Sequence, residues 1–80
     1  MYVKDAVVVR FRQLITQKGI CVNALANSAG VTASTVYSMM DGNRREISIT
    51  TIKKLCDGLE ISLGEFFSAP IFDELEQEIR

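Results

Sequence analysis

Eighty residues, 48% of them hydrophobic and 24% charged, make one small domain with a core of its own and exclude a disordered or low-complexity chain. The longest unbroken apolar run, residues 6–9, falls far short of the ~20 needed to cross a bilayer, and no secretion signal is legible past Lys4 and Asp5, so a soluble cytoplasmic protein is expected. There is no histidine and there are two cysteines, Cys21 and Cys56, so neither a metal site nor a cofactor is expected, and the net charge of −1 argues at first against nucleic acid.

Residues 3–18 read as a helix. Val7, Phe11, Leu14 and Ile15 share one face at helical period, while Arg10, Gln13 and Gln17 lie elsewhere on the cylinder. Gly19 suits the C-terminal cap, with Lys18 in the last turn. Val8 and Val9 leave the stripe and read either as clutter or as part of a partner surface. A shorter helix follows, with Val22, Leu25, Ala26 and Ala29 on one face and Gly30 at its end. Thr32 is a good N-cap for a third helix over 33–40, with Val36, Met39 and Met40 pointing inward. Asp41, Gly42 and Asn43 signal a turn.

Ser48 caps a fourth helix that runs to about Leu59. Its inward positions are Ile49, Ile52, Leu55, Cys56 and Leu59. Ser62 and Glu65 have the S-x-x-E spacing of a capping box and start a fifth helix that buries Leu63, Phe66 and Phe67. Pro70 breaks the chain, and residues 72–79 suit a final acidic amphipathic helix. Nothing alternates with period two strongly enough for a strand. The expected fold is all-α, with five helices and a candidate sixth. Both cysteines read as small buried residues, because nothing places the chain in an oxidising compartment where a disulfide would persist.

The neutral total hides a lopsided distribution. Residues 1–54 carry eight bases and three acids, a balance of +5, whereas residues 55–80 carry one base and seven acids, a balance of −6. A basic body thus meets an acidic end. Within the body, residues 22–42 are the informative stretch: a short helix, a turn of about three residues, then a second helix, the spacing of a helix–turn–helix. Small Ala26 lets the two helices cross closely, Gly30 supplies the positive φ of the tight turn, Val31 plugs the turn, and Val36 anchors the second helix. Ala33, Ser34, Tyr37 and Ser38 then point outward together. Tyr37 also admits a reading as a partly buried core tyrosine.

The order and spacing of Leu25, Ala26, Gly30, Val31, Thr32, Ser34, Thr35, Val36 and Gly42 in this stretch are what the family resemblance begins from. With Ser48, Ile52, Leu55, Leu59, Ile61, Ser62, Leu63, Glu65, Phe66 and Phe67 following, the chain resembles the Cro/C1-type (XRE) helix–turn–helix family of phage and bacterial repressors over about residues 7–67. The resemblance implies a five-helix lambda-repressor-like bundle whose third helix enters the major groove of double-stranded DNA. Carried over position by position, it implies base-edge contacts from Ala33, Ser34, Tyr37 and Ser38. It implies phosphate contacts from Asn23, Thr32, Asn43, Arg44 and Arg45.

The departures from the family pattern are informative too. Many relatives carry Gln, Arg or Asn on the groove side, where Ala33 and Ser34 offer a methyl and one hydroxyl, so base discrimination should be modest. Ile15 and Met40 occupy positions where many relatives pair an Arg with a Glu. Glu60 stands where many have Gly, and Glu in a left-handed cap is strained. Gly58 replaces a usual Ala and should allow close helix contact.

Residues 1–69 are thus expected to form the DNA-binding domain and residues 70–80 an acidic tail whose apolar stripe (Phe72, Leu75, Ile79) makes a dimerisation helix. No His, nucleophile–base pair or Gly-rich phosphate loop points to an enzyme, no small-molecule ligand is evident, and Asp73, Glu74, Glu76 and Glu78 read as a solvated face rather than a metal site. Three functions fit: a homodimeric transcriptional regulator, a repressor by preference; an antitoxin whose acidic tail covers a basic toxin; and an interaction module that has lost DNA binding.

Overall fold

In a computed structural model, which describes residues 1–44 and 46–79, the chain runs through α1 (Val3–Lys18), α2 (Val22–Ala29), α3 (Ala33–Met40), α4 (Ile49–Gly58), α5 (Leu63–Phe67) and a 3₁₀ turn (Pro70–Asp73). The helix ends follow the local chemistry. Thr32, Ser48 and Ser62 cap α3, α4 and α5, their side-chain oxygens accepting from the amides of Thr35, Thr50 and Glu65. Gly19 and Gly30 close α1 and α2 at φ 65° and 71°, a region that L side chains avoid.

The core joins all five helices. Phe11 of α1, Leu25 of α2, Val36 of α3, Leu55 and Cys56 of α4 and Phe66 of α5 are fully buried. The Phe11 and Phe66 rings lie 4.4 Å apart between centroids. Arg10, far from idle on the outside of α1, donates through Nε and a terminal nitrogen to the carbonyls of Phe66 (2.8 Å) and Glu65 (2.9 Å). It thereby supplies a partner to the Phe66 carbonyl and a second donor to the Glu65 carbonyl, which also accepts from the Ser68 amide at 3.3 Å, at the C-terminal end of α5. Ile15 and Met40, at the positions of the family's ion pair, both pack on the core. Among the described residues, no helix is long and apolar enough to cross a membrane.

Helix α4 closes at Gly58, one residue before the expected end, and buried Leu59 is its cap. Glu60 follows at φ 60°, the one non-glycine residue with positive φ among those described, as the strained left-handed cap expected there. The Ile61 amide then returns to the Cys56 carbonyl at 3.0 Å.

Three expectations need correction. Ile49 does not face the core: it is 59% exposed, because the first turn of α4 projects past the buried stripe of Ile52, Leu55, Cys56 and Leu59. Cys21 is exposed rather than buried, since it is the N-cap of α2 and its neighbours Ile20 and Val22 do the packing; both cysteines are free thiols.

The sixth helix over 72–79 does not form. After the 3₁₀ turn, residues 75–79 run without regular structure back to the start of α1. The Glu76 amide donates to the Met1 carbonyl at 3.0 Å, and the Val3 amide donates to Glu78 Oε2 at 3.2 Å. An isolated helix of eight residues is marginal, and Glu74 and Glu78 would repel across one of its turns. The open amides and positive end of α1 give the Glu78 carboxylate a better place, and the Glu76 carboxylate pairs with the Met1 ammonium at 2.7 Å. Phe72, assigned to a dimer stripe, packs instead on Phe66 and Phe67, with centroids 5.8 and 4.9 Å away, while Ile79 is 83% exposed.

Candidate nucleic-acid interface

The helix–turn–helix is built by short-range bonds. The Gly30 amide reaches the Asn27 carbonyl (3.3 Å) and the Val31 amide reaches the Ala26 carbonyl (3.0 Å), which turns the chain sharply out of α2. Val31 packs against the core behind the turn. Helix α3 is then locked from within by Val36 and Met39, both buried. At its N-terminus Thr32 Oγ1 lies 3.1 Å from Ser34 Oγ and 2.9 Å from Thr35 Oγ1, and it accepts from the Thr35 amide at 3.2 Å. Three hydroxyls therefore gather at the end of a helix where backbone amides and the dipole favour an anion.

The four residues expected to point outward together do not all do so. Ser34 and Tyr37 are exposed, Tyr37 by 58%, which sets aside its reading as a core tyrosine. Ser38 is half-buried. Ala33, the first residue of α3, is also half-buried and packs against the core next to α2. Its side chain lines a shallow cleft of about 440 Å³ with Asn23, Ala24, Ala26, Asn27 and Val31. Exposed Asn23 thus shares a surface with the start of α3. The same cleft adds the exposed amide of Asn27, which sequence reading passed over although it stands one turn after Asn23. Thr35 was passed over as well; it is exposed and belongs to the hydroxyl group at Thr32.

The other end of α3 is equally fixed. Asp41 caps it, and its carbonyl accepts from the Arg44 amide at 3.1 Å while its carboxylate accepts from the Asn43 amide at 2.9 Å. Asn43 and Arg44 stand exposed on this turn, and Arg45 lies outside the described residues. The basic body is smaller in effect than its charge count. Arg10 holds α5, Lys4 is buried, and Lys53 pairs with Asp57 at 2.5 Å on the surface of α4. A solvated pair of this kind contributes little to stability. Burial pushes the Cys56 thiol up to about 11, with nearby Lys53 opposing, so this sulfur is no nucleophile at neutral pH. Among the described residues, no group of three His, Cys, Asp or Glu side chains could hold a metal ion.

Comparison with known proteins fits this geometry. The family model of the Cro/C1-type HTH DNA-binding domain matches residues 10–70. Among solved structures, the crystal structure of prophage Lp1 protein 11 is 37% identical, with a TM-score of 0.81 over 94% of this chain and 100% of that one. The crystal structure of the wild-type restriction-modification controller protein C.Esp1396I has a TM-score of 0.79 over 98% of this chain and 99% of that one. At 20% identity the latter is a likeness of fold alone. None of the curated proteins matches the chain.

Proposed function

This chain belongs to the Cro/C1-type helix–turn–helix DNA-binding family, and from that premise we propose that it is a sequence-specific transcriptional regulator that occupies a two-fold DNA site as a homodimer and represses by occupancy. The observation that carries the reading is α3 itself. Its inner side is locked by Val36 and Met39, its outer side presents Ser34 and Tyr37, and exposed hydroxyl, amide and guanidinium side chains stand at its ends. The base-reading residues are Ser34, Tyr37 and Ser38, while Ala33 packs toward α2 at the edge of this face. Asn23 and Thr32 at one end and Asn43 and Arg44 at the other hold the phosphates, with Arg45, next in the sequence, proposed to join them. With one tyrosine and two serines to read bases, affinity rests on backbone contacts and dimer geometry, and DNA shape supplies much of the specificity.

A second copy of the chain has a surface to meet. Ile49 and Val3, 59% and 43% exposed, border a groove of about 750 Å³ that Val7, Ile47, Ile52 and Phe67 also line. The groove adjoins the segment that leads from the Asn43–Arg44 turn into α4. An isologous contact there would set two copies of α3 on one two-fold axis, as half-sites one helical turn apart require.

The interaction-module reading draws on the sparse hydrogen-bonding equipment of Ala33 and Ser34, and the antitoxin reading has no observation in its favour. The antitoxin reading needs an acidic arm that reaches outward, and Glu76 and Glu78 are turned back onto the start of α1. Selection of bound sequences from a random duplex pool tests the proposal. A two-fold symmetric consensus is the expected outcome, and an empty selection would overturn it.

A further inference from the structure

Among the described residues one charged side chain is buried: Lys4, in the first turn of α1, is 5% exposed. An ammonium leaves water only where an acceptor awaits it. Lys4 Nζ donates to the backbone carbonyl of Asp41 at 2.5 Å, across 37 residues of chain. That carbonyl belongs to the C-cap of α3 and also accepts from the Arg44 amide, 3.1 Å away. One oxygen therefore ties together α1, the end of the groove-facing helix and the turn that carries Asn43 and Arg44. The negative end of the α3 dipole adds to the attraction.

We propose that Lys4 is a positioning residue for DNA: it fixes the 41–44 turn against α3, so that the base-reading face and the phosphate-gripping turn meet the duplex in one register. The assignment rests on the DNA-binding reading given above. A core position asks only for apolar volume, and a buried polar contact can be exchanged for well-packed apolar atoms without loss of stability. What an apolar side chain could not supply is a directional bond to one particular carbonyl. The flanking core residues of α1, Ala6 and Val7, make no such bond. Lys4 also lines the groove assigned to the second copy, which links the register of α3 to the dimer contact.

The test compares Lys4→Met, which keeps the stem and removes the donors, with Lys4→Arg, which keeps a charged donor. Both are made in the full chain and assayed on the duplex that selection yields. Lys4→Met is expected to melt cooperatively, to exchange the Asn43 and Arg44 amides about tenfold faster, and to bind about tenfold more weakly. Its salt dependence should be shallower by about one phosphate contact, a slope of about 0.9. Lys4→Arg should restore most of the affinity and the slope.

Lys4→Met binding with wild-type affinity and slope would overturn the assignment while leaving DNA binding intact. Failure of Lys4→Met to fold would also overturn it, by making Lys4 a determinant of the fold. A wild-type chain that binds no duplex would remove the DNA reading, and the role of Lys4 with it.

Discussion

Gly58 of α4 and Ala29 of α2 meet with nothing between them: a Cβ placed on Gly58 would lie 3.0 Å from the Ala29 nitrogen and 3.1 Å from its Cα and Cβ. Their approach sets the distance between α4 and the first helix of the helix–turn–helix. Gly58→Ala gains helix propensity, worth at most ~1 kcal/mol and less at the last residue of a helix. It also pushes on backbone of α2 that must shift by a few tenths of an ångström to make room, and overpacking of that kind costs about 1–3 kcal/mol. Overpacking wins, and a net loss of about 1 kcal/mol is expected in urea unfolding. An unchanged or higher midpoint would show that α2 can move aside.

Glu60 carries the opposite prediction. Its φ of 60° imposes a left-handed backbone on a residue with a Cβ, which costs roughly 1–2 kcal/mol. Glu60→Gly removes that strain and gives back part of the gain by loosening the unfolded chain. A net stabilisation of about 0.5–1 kcal/mol is expected, seen as a rise of several degrees in Tm. A fall in Tm would mean that the Glu60 side chain makes a contribution larger than the strain.

Arg44→Ala combined with Arg45→Ala should weaken binding to every duplex alike. The salt dependence of log K should flatten by up to about 2, close to one unit per phosphate released. Affinity and slope equal to those of the wild type would take both arginines off the contact surface.

The dimer contact is checked by Ile49→Glu. Because Ile49 is more than half exposed, the change should leave the monomer fold within about 0.5 kcal/mol. Sedimentation should then show the monomer at concentrations where the wild-type chain is expected to dimerise, and a wild-type chain that stays monomeric would remove the proposed contact. Dimers that persist in the variant would place the interface elsewhere.

The buried Cys56 thiol predicts an alkaline limit. Burial raises it from an ordinary 9.0 to about 11 in the folded chain, so between those values the unfolded chain releases a proton that the folded chain keeps. Stability is therefore unaffected below about pH 9. It should fall as pH rises from there toward 11, by up to about 1.4 kcal/mol per pH unit. Cys56→Ala should lower stability throughout by leaving a cavity, but it should flatten this alkaline decline. A decline of the same steepness in the variant would assign it to other groups.

The helix–turn–helix was legible in the residues because its determinants are short-range. Thr32 caps α3 through an amide three residues away, Gly30 turns the chain through bonds to Ala26 and Asn27, and the spacing of Val31, Val36 and Met39 orients the helix on its own period. The same holds for Ser48 and Ser62, whereas the left-handed position of Glu60 was suggested only by the family resemblance, since Glu itself does not favour it. Tertiary structure alone decided the rest, because those features join residues far apart in the chain. Lys4 meets Asp41, Arg10 meets Glu65 and Phe66, and Glu76 and Glu78 meet Met1 and Val3 across contacts that no local pattern encodes. Periodicity also carried Ile49 into the core and residues 72–79 into a helix, since a helical stripe records which side chains align and not where the neighbouring helices end. The third helix stands where its sequence placed it, locked by Val36 and Met39, but the bond that ties its end to α1, from a buried lysine to the Asp41 carbonyl, could be seen only in the folded chain.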